Sequence, residues 1–149
     1  MAQVRQAAAN WSGDLLSGGG SVSASSSGIF SDQAITWRAR TEASEGKTSP
    51  EELLAAAHAS CYSMAVSNEL AKAGFPPERV DTTVVVSAEK TDAGWTVVSS
   101  AITVRAKVPG IDEATFMEQA NAAKGGCPIS RAISCLLYTS DAADDRPRV

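Results

Sequence analysis

Three cysteines, one histidine and a small set of arginines and acids carry the reactive chemistry of this 149-residue chain. Cys61 follows His58, the only histidine, by three positions, so on a helix the two share a face, with Leu54, Ala55 and Ala65 near the same stripe. Cys127 stands directly before Pro128. A cysteine acts on a peroxide as a thiolate, needs a cation to hold that charge, and needs a second thiol to capture the sulfenic acid before further oxidation. Cys61, Cys127 and either Arg40 or Arg38 supply those types. The local field favours Cys127, at a helix N-terminus, over Cys61, roughly ten residues inside its helix; Cys61 is a credible nucleophile only if an arginine reaches it. Two blander readings stay open: Cys61 as a small buried hydrophobe, and His58 as a hydrogen-bonded core residue. A metal site built from His58, Cys61, Glu51 and Cys127 is a further alternative, although His-x-x-Cys with distant partners is a weak zinc signature.

The element that must position Cys61 runs from Pro50 to Gly74. Ser49 can cap it, Pro50 suits the first helical position, Glu51 and Glu52 favour its positive end, and Gly74 can terminate it. Few charges interrupt this stretch, which predicts a core helix surrounded by protein on most sides. Val4 to Gly13, Ser21 to Ser27 and Ile35 to Glu42 read as strands of an antiparallel meander. In the third of these, Arg38, Arg40 and Glu42 would project from one face. Val80 to Lys90 and Trp95 to Val108 form a strong hairpin around Thr91-Asp92-Ala93-Gly94. Asp112 to Lys124 has helical composition with Phe116, Ala120 and Ala123 on one face; Gly125-Gly126 ends it, and Cys127 caps a following helix opened by Pro128.

Composition narrows the class. A net charge of −4 without any Lys/Arg run argues against a nucleic-acid partner. No segment approaches the ~18 apolar residues needed to span a bilayer, and the first ten residues lack an apolar signal region, which predicts a cytoplasmic protein. The cysteines form neither a zinc-finger spacing nor Cys-x-x-Cys, so a reducing compartment would keep them as thiols outside a catalytic cycle. No repeat or second domain is visible, and residues 1–134 read as a single domain. The segment Cys135 to Asp144, Cys-Leu-Leu-Tyr-Thr-Ser-Asp-Ala-Ala-Asp, matches the translation of a transposase-type sequencing adapter. Residues 135–149 are therefore set aside as a non-native tail.

Six ordered segments carry a family resemblance: Trp11-Ser12-Gly13-Asp14, Thr48-Ser49-Pro50-Glu51-Glu52-Leu53, Ala57-His58-Ala59-Ser60-Cys61-Tyr62-Ser63-Met64-Ala65, Val80-Asp81-Thr82-Thr83, Val108-Pro109-Gly110-Ile111 and Cys127-Pro128-Ile129-Ser130. Together they resemble the osmotically inducible protein C (OsmC) family, sister to the organic hydroperoxide resistance (Ohr) proteins. Ala-His-Ala-Ser-Cys, with histidine three before cysteine, is similar to the OsmC branch. The resemblance implies an α+β fold, an OsmC-like fold of antiparallel sheets around a long central helix, in an intertwined homodimer with two shared sites. It implies thiol-dependent reduction of organic hydroperoxides, and more weakly of hydrogen peroxide, with no cofactor and no metal, at the expense of a dithiol reductant such as a lipoylated protein. Cys61 would match the peroxidatic cysteine, Cys127 the resolving one, Glu51 the family glutamate and Arg40 the family arginine, with Arg38 as the fallback and His58 in support. Ten residues of straight helix between Glu51 and Cys61 rise roughly 15 Å, so one Arg40 could serve both only if two chains share a site. A non-catalytic dimer binding a small apolar ligand is the remaining alternative.

Overall fold

The computed structural model describes residues 1–134; the adapter-like stretch from Cys135 lies outside the described residues. The chain divides into two compact units, Met1–Leu53 and the part from Leu54 onward.

In the first unit β1 (Ala8–Ser12), β2 (Gly19–Ser23) and β3 (Gln33–Ile35) form an antiparallel meander in the order β1-β2-β3. Asn10 pairs with Ser21 and Trp11 with Gly20. Gly20 is required there, because a Cβ would collide with the Asn10 carbonyl across the ladder. The third strand is shorter than its alternation predicts. It stops at Ile35, and Trp37–Thr41 is a short helix, α1. The cause is Thr36, whose extended backbone and side-chain oxygen cap the helix by accepting the Ala39 N–H. Arg38 and Arg40, expected on one strand face, are instead two helical positions apart and point in different directions.

Helix α2 (Pro50–Lys72) follows the predicted boundaries. Ser49 Oγ accepts the Glu52 N–H at 3.1 Å, and Gly74 takes a φ of +88° just past the end, a conformation costly for any residue with a Cβ. One stripe of α2 is buried, His58, Tyr62, Val66 and Leu70 at successive spacings of four, while Ser60, Met64 and Asn68 on the opposite side are exposed. Within the chain, then, α2 buries a single face, where the sequence predicts cover on most sides.

The second unit pairs β4 (Arg79–Thr91) with β5 (Gly94–Lys107) as one long antiparallel hairpin. Thr82 lies opposite Val104, Val84 opposite Ile102 and Val86 opposite Ser100. A bulge between Ser87 and Ala88 shifts the register near the turn. Helix α3 (Glu113–Gly126) is capped by Asp112, whose carboxylate accepts the Thr115 N–H at 2.8 Å. It runs through Gly125 and Gly126, which the sequence suggests as a break; the chain turns one residue later, at Cys127. Helix α4 (Pro128–Ala132) begins there with Cys127 as its cap, as the Cys-Pro pair predicts. Tyr62, Val66, Leu70, Ala123 and Cys127 form the core of this unit, joined by Val80, Ile102, Val104, Phe116 and Ile129. Burying a Leu or Val side chain contributes about 2 kcal/mol each, so the face of α2 that carries Cys61's neighbours is also the face that holds the unit together.

Candidate active site

The predicted residues gather into two constellations, one in each unit. The first joins α1 to the start of α2. Arg40 Nε lies 3.0 and 3.1 Å from the two carboxylate oxygens of Glu51, and Arg40 Nη2 lies 2.6 Å from Oε1. This two-pronged pairing fixes the guanidinium plane, and Trp37 packs beneath it with its ring centre 5.5 Å from Arg40 Cζ. Thr36 makes the pairing possible by turning the chain into α1. Arg40 also forms one wall of a cavity of about 290 Å³, lined by Trp11, Leu15, Ile35, Thr36, Trp37 and Pro50. Its chemistry is apolar apart from that cation. Arg38 takes no part: its side chain is two-thirds exposed and pairs with Glu42 at 3.0 Å and Glu45 at 3.6 Å. The fallback assignment for Arg38 rested on a strand face that does not exist.

The second constellation holds both thiols. Cys61 Sγ and Cys127 Sγ lie 3.0 Å apart, 66 residues apart in sequence, at the packing of α2 against the α3–α4 junction. Cys61 is half-buried and Cys127 fully buried. The Ser130 N–H donates to Cys127 Sγ at 3.3 Å, the bond expected of a cap residue and the third position of its helix. His58 is completely buried and shares both ring nitrogens with serine hydroxyls, Nδ1 with Ser100 at 2.7 Å and Nε2 with Ser130 at 2.8 Å. The core-histidine reading therefore describes its immediate surroundings. Both ring nitrogens of His58 are thus engaged by serines, and Glu51 is held by Arg40. Among the described residues no group of three or more His, Cys, Asp or Glu side chains is placed to hold a metal ion.

Electrostatics separates the two thiols. Burial pushes the Cys61 thiol up first of all, the hydrogen bond and the charge at Cys127 push it the same way, and the Ile129 N–H opposes them. At Cys127 burial is the largest single influence and also acts upward. The Ser130 hydroxyl, the Cys61 thiol and the N–H groups of Ser130 and Ile129 together outweigh it, and Cys127 is drawn below its ordinary value. Burial drives His58 down, so the ring is neutral at neutral pH. Tyr62, whose hydroxyl donates to the Ala120 carbonyl at 2.6 Å beside this pair, is pushed up to about 12 by burial and by the charge at Cys127. Within this unit the surroundings favour the thiolate at Cys127 over Cys61, the order that the helix-terminus argument predicts.

Two participants escaped the sequence reading. Ser130 sits three residues past a cap residue, a spacing that could have pointed to Cys127. Ser100 carries one weak signal, a polar residue on the strand face it shares with Ile102 and Val104.

Residues 43–136 match the family model described as OsmC-like protein. Over 125 residues the chain is 45% identical to peroxiredoxin OsmC of Escherichia coli (strain K12), covering 84% of this chain and 86% of that protein. Among solved structures, the organic hydroperoxide resistance protein OsmC from Legionella pneumophila superposes with a TM-score of 0.66 at 23% identity, over 93% of this chain and 99% of that one. OhrB of Bacillus subtilis superposes with a TM-score of 0.67 at 20% identity, over 92% and 97%. The antiparallel sheets, the long helix and the paired cysteines thus sit on a shared fold, and the chain belongs to the OsmC-like family.

Proposed function

We propose that this protein is a thiol-dependent peroxidase that reduces organic hydroperoxides, and hydrogen peroxide more weakly, to an alcohol or water. The observation that carries the reading is the 3.0 Å approach of Cys61 and Cys127 Sγ. Disulfide formation requires the sulfurs to close to ~2.05 Å, a movement of about one ångström that side-chain rotation can supply. The Cys61 thiolate attacks one peroxide oxygen, the O–O bond breaks, and the alkoxide takes up a proton and leaves as the alcohol. Cys61 sulfenic acid then condenses with Cys127: the S–S bond forms, and the sulfenic hydroxyl departs with the Cys127 proton as water. A dithiol such as a lipoylated protein returns both cysteines to thiols.

The upward shift of Cys61 leaves its activation to a cation. In our reading that cation is Arg40, oriented by Glu51, acting on Cys61 of a second chain in an intertwined homodimer. Two observations support a dimer: the exposed stripe of α2 around Met64, and the exposed Val85 on the outer face of β4. The apolar cavity beside Arg40 suits the organic half of a hydroperoxide. Residues 1–134 act as one OsmC-like unit, residues 135–149 are extraneous to it, and free thiols suit a cytoplasmic setting. Among the described residues no helix is long and apolar enough to cross a membrane.

The test is tert-butyl hydroperoxide consumption with dihydrolipoamide as reductant. Cys61→Ser should abolish turnover, whereas Cys127→Ser should permit one oxidation event and then drift to the sulfinic acid, visible by mass. Normal turnover by Cys61→Ser would sink the reading.

A further inference from the structure

Cys127, His58, Ser100 and Ser130 are at most 4% exposed, so bulk water does not reach the proton on Cys127. The groups around it nevertheless form a continuous chain: Ser100 Oγ to His58 Nδ1 at 2.7 Å, His58 Nε2 to Ser130 Oγ at 2.8 Å, and the Ser130 hydroxyl and N–H to Cys127 Sγ. No buried side-chain nitrogen or oxygen among the described residues lacks a partner.

A neutral imidazole has one donor and one acceptor nitrogen, while each serine hydroxyl donates once and accepts, so the chain has two complete polarities. In one, the Ser130 O–H donates to Nε2 and Nδ1–H donates to Ser100 Oγ, which turns the hydroxyl away from sulfur. In the other, the Ser100 O–H donates to Nδ1, Nε2–H donates to Ser130 Oγ, and the Ser130 O–H is left to donate to sulfur. The second serves Cys127 with or without its proton, so His58 keeps one neutral tautomer throughout. We propose that Ser130 is the hydrogen-bond donor that stabilises the Cys127 sulfur as it attacks Cys61 sulfenic acid, and that His58 is a positioning residue that sets the direction of that bond by donating Nε2–H to the Ser130 hydroxyl oxygen. This deepens the peroxidase reading and rests on it for the step it serves. The step balances: the Cys127 thiolate displaces hydroxide from the sulfenic sulfur, the S–S bond forms as the S–O bond breaks, and the hydroxide takes up a proton equal to the one Cys127 released on ionising and leaves as water.

The titratable groups packed around Cys127 are Cys61 and Tyr62 on α2, His58 through Ser130, and Glu69, whose carboxylate stands beside Gly126 and pairs with Lys72 at 2.9 Å. Tyr62 is pushed up to about 12 and donates to a carbonyl, so it stays protonated through the neutral range and cannot mimic the effect.

The experiment follows single turnovers of the full chain with tert-butyl hydroperoxide, reading peroxide loss and disulfide formation separately across pH. Ser130→Ala tests the second of these readings. It should slow disulfide formation about tenfold at neutral pH, the equivalent of one hydrogen bond to a charged atom, and move its pH midpoint upward. Ser130→Thr, which keeps the hydroxyl, should restore both. His58→Gln should slow disulfide formation in the native background and add nothing to Ser130→Ala, because His58 acts through Ser130. An unshifted pH midpoint in Ser130→Ala, failure of threonine to rescue a folded protein, or additive effects of the two substitutions would overturn the proposal. If the native chain does not consume peroxide, the peroxidase reading fails by itself. The Ser130 bond is then read from the Cys127 thiolate absorbance in a Cys61→Ser, Cys135→Ser background, where Ser130→Ala should raise the titration midpoint by about one unit and an unchanged midpoint refutes it.

Discussion

The two constellations solve opposite electrostatic problems. Arg40 and Glu51 are full charges at a partly exposed position, and they pair by direct two-pronged geometry with little reorganisation left to make. Cys61 and Cys127 are neutral or singly charged groups in a packed core, held by serine hydroxyls, backbone N–H groups and each other. The first region has a cation already oriented. The second has two thiols, of which the better placed for attack on an incoming peroxide, the half-exposed Cys61, is the one pushed toward its protonated form.

Arg40→Ala is the strongest way to break that division of labour. It should reduce the rate of Cys61 oxidation at neutral pH by tenfold or more, with a smaller loss for Glu51→Ala, whose removal frees the guanidinium but leaves its charge. Stopped-flow peroxide kinetics checks both. Mixed dimers sharpen the point. Combining Cys61→Ser chains with Arg40→Ala chains should recover activity if sites are shared across a dimer, and none if each chain completes its own.

A second effect is confined to the thiol-bearing unit. His58 is a base whose folded value lies below its ordinary 6.5, so the unfolded chain binds the proton more readily. Stability should therefore be fully present above about pH 6.5 and decline as pH falls below it. Denaturant midpoints measured from neutral to mildly acid pH should show this decline, and His58→Gln should remove it. Tyr62, displaced upward to about 12, adds the mirror-image loss at alkaline pH, beginning near 10.

The smallest expected effect belongs to Arg38. Its exposed pairing with Glu42 is worth at most about 0.5 kcal/mol, so Arg38→Ala should leave both thermal stability and peroxide kinetics close to native. An Arg38→Ala loss as large as that of Arg40→Ala would undo the distinction between the two arginines.

Much of this arrangement was legible before any coordinates. Helix α2 announces itself by Ser49, Pro50 and Gly74, and the hairpin by a β-branched run on each side of a short turn. Cys127 reads as a cap because proline cannot continue a preceding helix but readily opens a new one. The short helix α1 was not legible, since Trp37-Arg38-Ala39-Arg40-Thr41 alternates like a strand. Only the Thr36 cap, competing locally with sheet pairing, decides otherwise. Glycines 125 and 126 misled for a related reason: helix α3 is held by packing at Ala120 and Ala123, which offsets a local cost of about 1 kcal/mol per glycine. The serine partners of His58 come from β5 and α4, and no local pattern reports a contact across 42 or 72 residues.

Cys127 also ends one helix and begins the next, and that double duty has a thermodynamic return. Its sulfur is the cap acceptor of α4, and a thiolate accepts an N–H more strongly than a disulfide sulfur does. By reciprocity, whatever α4 gains from the reduced cysteine, the reduced cysteine gains from α4. A cap worth about 1 kcal/mol corresponds to roughly 20 mV in a two-electron couple. Five residues of helix thus act as a counterweight on the reduction potential, making any disulfide formed at Cys127 more oxidising and easier for a dithiol to open.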